Sequence, residues 1–274
     1  MSRPKRSAIS LVEVLVVIGI IVILIGLFLP ATRKVRESSG RIDCQNNMRV
    51  LLQGIDSFQS IERHYDPASP GFKEAAADGT YPSGCIGRGS LADERLSWLI
   101  SVLPFIEQQQ LAQRFDSSKG FAGNFEPAAK RMKNLICKAS KESTNSEPFT
   151  HYIAMAGIGP DAASRLAGES GNGFMGYDRL TTADMIKDGT SNTIALMETR
   201  SNVGPWARGG QSALRSFDPA DLPLHGDQRP FGGHISWMEA GMADGSVRAI
   251  MPKIDPATLA AVITIAGGEK VELP

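Results

Sequence analysis

The sequence lacks net charge: Lys plus Arg and Asp plus Glu both number 29 in 274 residues. That balance excludes a general polyanion binder, which needs an excess of cations. Cysteine is scarce. Cys44, Cys85 and Cys137 lie far apart and form no Cys-x-x-Cys pair, so no metal site is expected from their spacing. In an extracytoplasmic domain three cysteines imply one disulfide and one odd thiol, and spacing does not say which two pair. A Gly-x-Ser-x-Gly elbow is also missing, and Gly209-Gly210 and Gly232-Gly233 do not sit in a strand-to-helix phosphate loop. No catalytic residue is assigned and no enzyme is expected. No long internal repeat is visible.

What the chain has is one long apolar run, from Ile9 to Leu29, closed by Pro30 and interrupted by a single charge, Glu13. At ~1.5 Å per residue such a run spans roughly 30 Å of helix, and residues 9–30 are expected to be a transmembrane segment. A carboxylate in that setting needs a partner. The run is too long for a secretory signal, whose apolar part is about 7–15 residues, and a plain anchor leaves Glu13 unexplained. A cut between Ala8 and Ile9 removes the basic leader Arg3-Pro4-Lys5-Arg6-Ser7-Ala8. The new amino group of one chain then neutralises Glu13 of its neighbour.

This arrangement resembles the N-terminus of type IV pilins and type II secretion pseudopilins, on Lys5-Arg6, Ala8, Ile9, Leu11, Glu13 and Pro30. Ala8 stands where those proteins have glycine, and Ile9 where they have phenylalanine. The resemblance implies a prepilin peptidase as processing partner, N-methylation of Ile9, Glu13 as the register-setting charge and Pro30 as a helix kink. Further blocks follow in order: Cys44-Gln45-Asn46-Asn47, the stretch Trp98–Leu111, Leu135-Ile136-Cys137, Ile186–Thr193, and His234 followed after nine residues by Asp244-Gly245. Together they are similar to the prepilin-like family DUF1559, whose C-terminal signature is that His, nine residues, Asp-Gly. Lys138-Ala139 follows Cys137 where the family often has Pro-Ser.

Helical spacing continues past Pro30, with Met48, Leu51, Leu52, Ile55, Phe58 and Ile61 on one face. The expected fold is α+β: a long, bent N-terminal spine helix with a transmembrane first half, packed on a globular domain of short helices and a glycine-rich antiparallel sheet. The expected divisions are a leader (1–8), the membrane segment (9–30), the soluble half of the spine (31–64), a loop and short-helix region (65–150) and a sheet region with a C-terminal helix (151–274). Strands are expected at Ile153–Ala156, Thr193–Glu198 and either side of Asp244-Gly245, where Gly supplies the positive φ of a hairpin turn. Asp255-Pro256 caps a last helix, which Gly267-Gly268 ends.

Three side-chain groups invite site readings. His234 and Asp244 pair an imidazole with a carboxylate, yet Asp244 has a sufficient role bonding its own turn. Asp218, Asp221 and Asp227, in a proline-rich loop, offer the oxygen ligands calcium takes, without an EF-hand pattern; otherwise no metal or cofactor is expected. Cys44 with Cys137 is the preferred disulfide, clamping the spine to the globular domain across about 90 residues for roughly 4–5 kcal/mol. Cys85 is the competing partner and two free buried thiols the alternative. The expected function is structural: a single-pass inner-membrane, pseudopilin-like subunit with an extracytoplasmic or cell-surface C-terminal domain, assembling with like subunits and binding no nucleic acid. The alternative is an envelope-tethered ectodomain that binds a solute or polysaccharide without polymerising.

Overall fold

A computed structural model describes residues 11–60, 79–137, 148–226, 228–234, 237–269 and 271, with the side chains of 27–38 excepted. The chain divides into two units, Met1–Ile42 and Asp43–Pro274. Helix α1 (Leu11–Ser60) begins in the first and ends in the second. It is helical through Pro30 and Gly40; the side chain of Pro30 lies outside the description.

From Val14 to Gly26 the helix is apolar on every side. From Leu11 to Ile25 its large apolar side chains are all exposed. The transmembrane first half expected of this helix is not found: among the described residues no helix is long and apolar enough to cross a membrane. The described apolar side chains cover 11–26, roughly 24 Å at ~1.5 Å per residue, against a hydrocarbon core of about 30 Å.

In the second unit Met48, Leu51, Leu52 and Ile55 are buried, spaced by three and four so that they share one helical face. That face meets the sheet at Gly241. A Cβ there would lie 2.9 Å from Leu52 Cδ1 and 3.0 Å from Met48 Sδ, so a larger residue would force both side chains to shift. Two short strands, β1 (Cys85–Ile86) and β2 (Leu96–Ser97), pair antiparallel. Short helices follow: α2 (Leu99–Val102), α3 (Gln109–Ala112) and α4 (Phe125–Ala128). Trp98 joins this region to the sheet side of the core; it is fully buried and its indole Nε1 donates to Ala213 O at 2.9 Å.

The main sheet contains β3 (Tyr152–Ile158), β4 (Ile194–Glu198), β5 (Leu214–Phe217), β6 (Met238–Met242) and β7 (Val247–Ile250) in the order β5-β3-β4-β6-β7. Neighbours are antiparallel except β3 and β5, which are parallel. The expectation of a wholly antiparallel sheet is corrected at that edge: residues 199–213 carry the chain from β4 past β3 to its far side, and β5, like β3, runs opposite to β4, so the two lie parallel. β6 and β7 form the hairpin expected around Asp244-Gly245. Gly245, at φ +84°, closes a loop over 243–245, with Met242 N donating to Ser246 O at 2.8 Å.

Helix α5 (Pro256–Ile263) packs Leu259, Val262 and Ile263 into a core layer with Ile153, Met155, Met197 and Met242. Asp255 caps it, accepting from Thr258 N at 3.0 Å. The helix stops at Ile263, ahead of the expected glycine pair. Gly267 N and Gly268 N instead donate to the Asp188 carboxylate at 2.7 and 2.9 Å. Asp255→Ala removes the cap and is expected to cost about 1 kcal/mol in a urea titration.

Candidate functional site

Four side chains from four separate parts of the second unit meet in its interior. Cys44 comes from α1, Cys137 from just past the 3-10 turn Lys133–Leu135, Glu198 from the last position of β4, and His234 from the loop ahead of β6. One ligand atom from each lies within 4.8 Å of all the others, and all four residues are buried. The two sulfurs are 2.7 Å apart and both cysteines are free. His234 Nε2 is 3.8 Å from Cys137 Sγ and 3.6 Å from Glu198 Oε2.

Each member is held through its backbone by a different group. Tyr152 OH donates to Cys44 O at 3.4 Å. The Cys137 amide donates to His151 Nδ1 at 2.9 Å. Gly232 N donates to Glu198 O at 3.2 Å, and His225 Nε2 donates to His234 O at 2.6 Å. His151 accepts because it is neutral: burial, helped by the charges of Arg200 and Arg131, holds it down to about 4. The indole of Trp237 stacks on the His234 ring at 5.7 Å.

The electrostatics of the cluster are unusual. Burial, reinforced by the charge of Cys44, pushes the Glu198 carboxyl well above the ordinary carboxylate range. The hydrogen bond to Cys137 draws the Cys44 thiol down to about 5 against the opposing effect of burial, and Cys137 is pushed up in turn. Among the described residues neither oxygen of Glu198 meets an ordinary hydrogen-bond partner, and neither does His234 Nδ1, although the Cys137 thiol lies near enough to act on the carboxyl. A buried carboxylate in that condition costs several kcal/mol unless something neutralises or ligates it.

The structure redistributes the residues singled out in the sequence. It brings Cys44 and Cys137 together and leaves Cys85 elsewhere, where Gly210 N donates to its sulfur at 3.4 Å and burial pushes its thiol up to about 11. It separates His234 from Asp244. The Asp244 carboxylate is exposed and accepts from Ser246 N and Oγ at 2.9 and 2.6 Å, the turn-bonding role its position suggests. Asp218 accepts from Ala220 N at 2.9 Å and Asp221 pairs with Arg229; Asp227 lies outside the described residues. Glu13 sits exposed in the first turn of α1. Ala8 and Ile9 lie outside the described residues. Glu198 is the member that reading the sequence missed. The only signal was a carboxylate ending an otherwise apolar strand.

Fold and centre together define an α+β protein in which a long N-terminal helix and a five-stranded sheet share a buried Cys-Cys-Glu-His cluster. The chain belongs to the family of proteins of unknown function DUF1559, which it matches over residues 33–222. No curated protein and no solved structure matches it.

Proposed function

We propose that the protein is a pilin-like structural subunit that assembles with copies of itself through the N-terminal part of α1. The observation that carries this reading is the exposed apolar surface of 11–25, where thirteen large aliphatic side chains stand 46–81% open to solvent. Burying one such side chain stabilises by roughly 1.5–3 kcal/mol, so the stretch strongly favours a partner. The surface runs all round the helix, not along one stripe. A single flat partner leaves most of it wet, whereas parallel helices of identical chains cover every side. Glu13 is the only charge in that stretch, and in a bundle of copies it recurs once per chain. Processing between Ala8 and Ile9 supplies the amine that pairs with it and sets the stagger.

Sedimentation of the processed chain, beginning at Ile9, tests the reading. Concentration-dependent association is expected, abolished by Ile18→Arg combined with Ile21→Arg and weakened by Glu13→Ala. A wild-type chain that stays monomeric at high concentration, or a double variant that associates as well as wild type, overturns it. The second reading, a solute binder, draws on an open groove of about 640 Å³ lined by Val50, Phe105, Lys130 and Arg131. Ligand uptake in that groove would be indifferent to all three substitutions.

A further inference from the structure

We propose that Cys44, Cys137, Glu198 and His234 form a structural zinc site. The donor set is what zinc takes: two thiolates, an imidazole and a carboxylate, four in number as a closed tetrahedral site requires. Sulfur donors also select against calcium and magnesium, which demand oxygen.

A disulfide between the two cysteines explains only half of the cluster. It leaves a buried carboxyl group with no ordinary hydrogen-bond partner among the described residues, and an imidazole turned toward it at 3.6 Å, shut in the interior. A cation ligated by all four gives the Glu198 carboxylate and His234 Nε2 a common partner, with His234 Nδ1 on the far side of the ring. The backbone of each donor residue is pinned by its own partner, Tyr152, His151, Gly232 or His225, which fixes where each donor side chain starts. Zinc–sulfur bonds of about 2.3 Å place two sulfurs roughly 3.7 Å apart in a tetrahedron. The present 2.7 Å separation therefore opens by about 1 Å, within reach of a small χ1 rotation at each cysteine. Loading releases the protons of both thiols and of the Glu198 carboxyl to solvent. Three anionic donors then face a divalent ion, and the charge of Arg200 acts favourably on Glu198.

The test is the zinc content of the full-length chain, purified anaerobically with reductant, supplied with zinc and freed of loose metal by gel filtration. One tightly held zinc per chain is expected, with a thiolate-to-cobalt charge-transfer band when cobalt replaces it and a lower melting temperature after chelation. Glu198→Gln, which keeps the side chain's shape, is expected to weaken zinc at least about tenfold. Cys85→Ser, outside the centre, leaves the stoichiometry unchanged. Should the chain hold no zinc, or the intact mass show Cys44 bonded to Cys137 in metal-free protein purified under reductant, the proposal fails. Equal zinc affinity in folded Glu198→Gln removes Glu198 from the site and overturns the four-ligand assignment. The cobalt spectrum of the unsubstituted chain keeps the test decisive if a variant does not fold.

Discussion

Arg179→Met is expected to destabilise the second unit by about 3–5 kcal/mol, enough to lower its melting temperature by roughly 6–20 °C. The side chain is buried, and its two terminal nitrogens donate to Ala162 O, Arg165 O, Asn172 Oδ1, Ala156 O, Gly173 O and Met175 O at 2.6–3.2 Å. Burial holds this guanidinium down to about 10, so it is still charged at neutral pH. The carbonyls it serves belong to β3 and to the loop that crosses it, including the crossing of Gly173 over Ala156, where Gly173 N donates to Ala156 O at 2.8 Å. Methionine matches the length and supplies no donor. It leaves several acceptors shut away from water, each at about 1–3 kcal/mol before relaxation. Arg179→Lys restores a charge but not the planar fork, so only partial recovery is expected. Calorimetry of the two variants beside the parent decides this, and a Met variant melting within about 2 °C of wild type contradicts the account.

The second large effect is expected at Gly233→Ala. This glycine has φ +149°, and a Cβ built on it falls 2.2 Å from the Glu198 carboxyl carbon. The carboxylate cannot swing away into solvent, because Glu198 is fully buried. Alanine must therefore displace either Glu198 or the backbone that presents His234. A cost of about 2–4 kcal/mol follows from combined backbone strain and overpacking. Thermal denaturation measures the loss of stability. Zinc titration separates local from global damage: with the fold intact, the variant still loses zinc affinity because the donor next to it has moved. Stability and zinc affinity both equal to wild type would show that the carboxylate has somewhere else to go.

Those two sites also mark the limit of what could be read from the chain beforehand. The hairpin at Asp244-Gly245, the capped helix after Asp255 and the long helix with its Met48–Ile55 face were legible because their signals are local: a turn pair, a cap, a period. β5 was not, since Leu214-Arg215-Ser216-Phe217 keeps two polar residues mid-strand and is too short to show alternation. The membrane-spanning reading rested on counting apolar residues up to Leu29, a measure of length that says nothing of how the helix is placed. The cluster was illegible for a different reason. His234 was weighed against Asp244, its neighbour in a spaced motif, whereas the fold sets it against Glu198 and two cysteines brought in by long-range packing. Nothing at Glu198 itself distinguishes a buried donor from a carboxylate that ends a strand at the surface.

The wide sequence separation of the four donors has a consequence for biosynthesis. Cys44 emerges from the ribosome early and His234 near the end, so no nascent chain shorter than 234 residues holds the complete set. Pairings across such distances form late and slowly. A chain that stops between residues 137 and 234 thus carries both cysteines of the cluster without His234, a chemical mark by which unfinished copies differ from finished ones before any assembly begins.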